Sequence, residues 1–151
     1  MQLNLKKLTQ RGDTVVEVLI CIAVIGLILG GAFVLTNRSL QGTRAAQERL
    51  NGIKLVEGQF EQMKSIAADT TKASTLFGAP ASFCIDNNSL VKPAADPACT
   101  VGPDGSPSPT KQPIFKITAS RVGNTFDVKV VWDKVTGTGQ DNVEMKYNVY
   151  Q

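Results

Sequence analysis

Gly12-Asp13-Thr14-Val15-Val16-Glu17 leads into a run, residues 15–35, that reads VVEVLICIAVIGLILGGAFVL. Glu17 is its only charge. As a helix rising about 1.5 Å per residue, the run spans roughly 30 Å, the thickness of a bilayer's hydrocarbon core. It is apolar all round, whereas a helix on the surface of a soluble domain keeps a polar face. An ionisable side chain inside such a run is costly and marks a functional position. A basic leader, residues 1–12, carries Lys6, Lys7 and Arg11 and ends in Gly12.

Signal sequences fit the run less well. A cleaved secretory signal has a shorter apolar core followed by small residues, and Thr36-Asn37-Arg38-Ser39 is not such a site. A lipoprotein signal needs a small residue before its cysteine, but Ile20 precedes Cys21. A plain signal anchor explains the length but neither Glu17 nor Gly12. Flanking charge barely sets orientation: Lys6, Lys7 and Arg11 precede the run, and Arg38, Arg44 and Arg49 follow it.

A leader ending in Gly12, then Thr14, then Glu17 as the fifth residue of a chain starting at Asp13, then the apolar run: this set resembles the N-terminal motif of type IV pilins and pseudopilins. The resemblance covers residues 1 to about 70 at motif level. It implies cleavage between Gly12 and Asp13 by a membrane prepilin peptidase and methylation of the freed amine. It implies an N-in, C-out precursor held in membrane lipid, then extraction by an assembly ATPase and platform into a homo- or hetero-oligomeric pilus filament, extracellular after assembly. Fold and outputs follow by the same resemblance: a type IV pilin-like α+β chain serving motility, adhesion to a host surface or DNA uptake. The chain departs from the family at Asp13, where an apolar residue, usually phenylalanine, is expected, and in lacking a proline within the apolar helix. A pseudopilin of a secretion or competence system shares the motif. A signal-anchored surface-binding protein that never polymerises is the reading from a different class.

Two features of the run bear on assembly. Glu17 is stabilised when a cation approaches, and the amine freed at Asp13 of a neighbouring subunit supplies one, fixing register. Snorkelling to the headgroups is the simpler alternative. Gly26 and Gly30 form a GxxxG with Gly31 beside it, a pattern that allows close helix packing. Cys21 reads as a small apolar residue in that packing.

Beyond the run the helix continues. Leu50, Ile53, Val56, Phe60, Met63 and Ala67 recur every three or four residues among charged neighbours, which predicts an amphipathic helix over 37–70. Period-two alternation in Phe115/Ile117/Ala119, in Phe126/Val128/Val130/Trp132 and in Val143/Met145/Tyr147/Val149 predicts an antiparallel β-meander over 113–150. Gly123-Asn124 marks the first turn. The organisation expected is therefore a leader (1–12), a transmembrane or filament-core helix (13–36) and an exported head (37–151) whose helix covers one face of the sheet.

Between helix and sheet lies a loop-rich stretch; six of the seven prolines fall in it between Pro93 and Pro113, and Cys84 and Cys99 bracket part of it. In an exported domain these two are expected to bond to each other, closing a loop worth roughly 3 kcal/mol; two buried thiols is the alternative.

The chain has no histidine, which removes histidine-based acid–base chemistry and the common zinc sites. No phosphate-binding or dinucleotide fingerprint occurs, and the spacing of Asp86, Asp96 and Asp104 fits no calcium loop. Neither enzymatic activity nor a cofactor is expected. The excess of 16 basic over 13 acidic residues lies wholly in Lys6, Lys7 and Arg11, so the remaining chain makes no charge-based case for nucleic acid. Lys111, Lys116, Arg121 and Lys129 are the candidates for a basic patch on one sheet edge.

Overall fold

The computed structural model describes residues 13–107, 112–135 and 138–148. Helix α1 runs without interruption through Asp13–Ala68; no proline interrupts it. It ends where Asp69 folds back: the Asp69 carboxylate accepts the Thr71 N–H at 3.0 Å, and the Ala73 N–H reaches the Asp69 carbonyl at 2.8 Å. A short helix α2, Ala73–Phe77, follows. Then come strands β1 (Phe83–Ile85), β2 (Val91–Pro93), a 3-10 turn at Pro97–Cys99, β3 (Thr100–Val101), β4 (Phe115–Val122), β5 (Thr125–Asp133) and β6 (Gln140–Asn148). The chain divides into two compact units, Met1–Gln41 and Gly42–Gln151.

In the second unit, residues 42–68 of α1 pack on an antiparallel sheet of order β2-β1-β4-β5-β6, with β3 also paired to β4. This is an α+β layout. The three alternating stretches of the sequence become β4, β5 and β6, joined in register: Phe115 faces Trp132, Val130 faces Val143 and Phe126 faces Tyr147. Phe115, Ile117, Ala119, Phe126, Val128, Val130, Trp132 and Val143 are buried beneath the helix. Gly123 at φ 63° opens the β4–β5 turn, a conformation that glycine adopts without steric cost.

Two features were not expected. The stretch read as loop-rich supplies β1, β2 and β3, which widen the sheet beyond a three-stranded meander. The helical stripe departs at its first member, while Ile53 and Ala67 pack against the core as expected. Val56, Phe60 and Met63 are buried and Ile66 joins them, but Leu50 is 56% exposed. At roughly 3.6 residues per turn Leu50 lies about 120° around the helix from Val56, off the packed face. Gly52 occupies that face instead, because Trp132 lies directly against it: a Cβ there would stand 2.9 Å from Cζ3 of the indole.

Candidate functional site: the apolar helix and the surface of the head

In the first unit, every apolar side chain of residues 15–35 is exposed, Leu27 to 78%. The helix is long and apolar enough to cross a membrane, and an exposed apolar surface this continuous marks a contact surface. Glu17 lies exposed in its first turns, beside Val16, Ile20 and Cys21. Gly12 lies outside the described residues; Asp13 opens α1, and its side chain is likewise outside them. A Cβ at Gly26, Gly30 or Gly31 would meet nothing within 4 Å, so among the described residues none of the three makes a close contact that needs glycine. Thr36 donates its hydroxyl to the Ala32 carbonyl at 2.9 Å, satisfying it without water. Cys21 carries a free, exposed thiol.

In the second unit, Cys84 and Cys99 form a disulfide with a Cα–Cα distance of 5.6 Å, and both are fully buried. It links β1 to the end of the 3-10 turn. A second tie, which sequence reasoning missed, is Gln59. This buried helical side chain donates Nε2–H to the Ile85 carbonyl at 2.8 Å and accepts the Ile85 N–H on Oε1 at 2.9 Å. Its one signal in the sequence was position: Gln59 falls on the apolar stripe between Val56 and Met63, where a polar group must find a partner. Gln62 adds a weaker bond to the Asp86 carbonyl at 3.3 Å.

The loop aspartates serve turns. Asp86 accepts the N–H groups of Asn88 and Leu90, each at 2.9 Å; Asp96 accepts that of Ala98 at 2.9 Å; Asp104 accepts that of Ser106 at 3.1 Å. Among the described residues, no group of three or more metal-ligating side chains converges. The candidate basic residues do not share one surface. Lys116 and Lys129 are exposed on the outer face of the sheet, whereas Arg121 is on the helix-side face with its guanidinium 5.5 Å from the Phe77 ring. Lys111 lies outside the described residues. Glu48, one of the charged residues set among the apolar stripe, is buried and lines a pocket of about 230 Å³ with Arg44, Gln47, Asn51, Gln112 and Pro113.

No protein-family model matches this chain, and neither a curated protein nor a solved structure does.

Proposed function

We propose that this chain is a structural pilin of a type IV pilus, made as a membrane-held precursor, cleaved after Gly12 and assembled through its N-terminal helix. The observation that carries the reading is Glu17: the one carboxylate within residues 15–35, exposed near the start of a helix whose apolar surface has no cover among the described residues. In lipid that charge is costly. Beside the amine freed at Asp13 of a neighbouring subunit it is paired, and the pairing sets the axial register of packed helices. Gly26, Gly30 and Gly31 then supply the narrow places where helices approach closely. The disulfide-bearing head is the exported part. Prepilin peptidase, the assembly ATPase and its membrane platform are the partners this route requires.

N-terminal sequencing of the protein from its native cells tests the first step, with Asp13 expected as the first residue. Gly12→Leu is expected to leave the full-length precursor in the membrane; mature protein of normal size from that variant rejects the reading. Glu17→Ala is expected to insert normally and to lose filaments. Because Asp13 can substitute for Glu17, the stricter test combines Glu17→Ala with Asp13→Phe, and normal filaments from that double variant exclude carboxylate-guided register.

A further inference from the structure

The two edges of the sheet are built differently. At one edge, β2 is three residues long and ends in Pro93, which has no N–H to offer a neighbour. At the other, β6 runs for nine residues with neither proline nor glycine. Among the described residues it pairs only with β5. Proteins usually blunt such an edge, because its free N–H and C=O groups template pairing with another strand.

The register shows which groups are free. Asp133 pairs with Gln140, and the Lys134 N–H donates to the Gly139 carbonyl at 3.1 Å. Bonded and non-bonded pairs alternate from there. Val143, Met145 and Tyr147 therefore point their backbone groups at β5, and Asn142, Glu144, Lys146 and Asn148 point theirs outward. An antiparallel pairing of β6 with a second β6 can only centre where outward residues meet outward residues. Centred on Glu144 it opposes two carboxylates, and centred on Lys146 it opposes two ammonium groups. Centred on Met145 it sets Glu144 against Lys146 of the second copy and Lys146 against its Glu144, with Asn142 against Asn148 on either side. Directly opposed opposite charges stabilise a strand pair and like charges oppose it. On the helix-side face the same register brings Tyr147, 36% exposed, against Val143 of the second copy and Met145 against Met145. These are non-bonded pairs, in which side chains come closest.

We infer that β6 is a self-complementary interface: two copies of this chain join edge to edge about a two-fold axis through Met145, extending one sheet across both heads. The symmetry is isologous and closes at two. The two-fold stands normal to the sheet, so residues 42–68 of α1, packed on its face, run in opposite directions in the two copies; the pairing joins heads that are not parallel neighbours in one filament, and it requires neither cleavage of the leader nor filament assembly. Lys146 leans toward Asp127 of β5 at 3.4 Å and lies 4.0 Å from Glu144, and Glu144 of the second copy adds a further carboxylate on its open side.

The test uses the full-length chain in detergent micelles, with Cys21→Ser to remove the free thiol. Met145→Cys in that background is expected to give a disulfide-linked dimer on mild oxidation, since opposed residues of a non-bonded pair fall within disulfide reach. Adding Glu144→Lys or Lys146→Glu is expected to lower the yield at least fivefold. Mixing those two variants, distinguished by tags, is expected to restore it as a heterodimer, because each then opposes the other's charge. A second readout leaves the charges intact: Asn142→Cys and Asn148→Cys chains are expected to join through a short thiol cross-linker when mixed and not when separate. A monomer at all concentrations overturns the inference. So does a dimer indifferent to both charge reversals, which places its contact elsewhere, or cross-linking of Asn142→Cys chains to one another.

Discussion

Gln59 shows how much one side chain can hold. Its carboxamide satisfies both backbone groups of Ile85 in a buried place, as a neighbouring strand would. Gln59→Leu leaves that N–H and C=O without partners, and urea titration of the full-length chain in detergent is expected to show a loss of roughly 2–6 kcal/mol, counting about 1–3 kcal/mol per orphaned group. An unchanged midpoint would show that water replaces the amide. The exposed end of α1 gives a pH-dependent counterpart. The Thr71 hydroxyl and N–H, with Lys72 farther off, hold the Asp69 carboxyl below its ordinary value. A depressed acid contributes stability above its unfolded pKa and loses it as pH falls through the folded one. Asp69→Asn is therefore expected to flatten the stability profile below about pH 4, near the ordinary aspartate value, and to leave its slope at neutral pH alone. Lys64 has the opposite sign: its hydrogen bond to Glu61 raises its pKa, so its contribution is present below the ordinary lysine value and fades as pH rises through the folded one.

At the scale of an element, two glycines of α1 separate helix propensity from helix packing. Gly58 has open space where a Cβ would be, and Gly58→Ala is expected to stabilise the head by up to about 1 kcal/mol. Gly52 lies against the indole of Trp132, which is itself buried and packed 5.3 Å from the Phe115 ring. Gly52→Ala forces helix and sheet apart and is expected to cost about 1–3 kcal/mol. Trp132 is the only tryptophan in the chain, so its fluorescence follows both unfolding curves. Opposite signs are the expected result; a stabilising Gly52→Ala would mean that helix and sheet part easily. Strands β4 to β6 were legible because eight or nine residues give alternation room to show. Strands β1 to β3 are two or three residues long, too short for a period. The helical stripe was legible apart from Leu50 and Gly52, since Gly52 carries no apolar signal and only its contact with Trp132 shows that it faces inward.

At the scale of the whole molecule, covalent and non-covalent ties share the work of holding the segment between β1 and β3. The disulfide closes a loop with a sequence separation of 15. Replacing both Cys84 and Cys99 by serine is expected to cost roughly 3 kcal/mol and to speed proteolysis between Pro80 and Pro113, with α1 of the head last to open. An equal loss of protection in α1 would show instead that the head unfolds only as one unit. The expectation of an exported head, with Cys21 set apart in the apolar run, made this bond readable in advance. The Gln59 tie was not readable, because a glutamine in a helix looks the same whether it meets water or a strand. The candidate site divides in the same way. Glu17 and the glycines stand out from the sequence because they interrupt an apolar run. The open edge of β6 does not, because being an edge is a property of sheet order.

Phe83 is the only residue of β1 paired with β4, opposite Ala119; beyond it the two strands part, and the Gln59 carboxamide takes the vacated place at Ile85. The Ile85 amide proton is thus shielded by a side chain rather than by a ladder. Deuterium would reach it whenever that one carboxamide lets go, without β4 and β5 separating, so its uptake clocks the detachment of the stapled segment from the helix. It should run ahead of uptake at Val128 and Val130, and Gln59→Leu should bring it close to the rate of an open loop while those two stay slow.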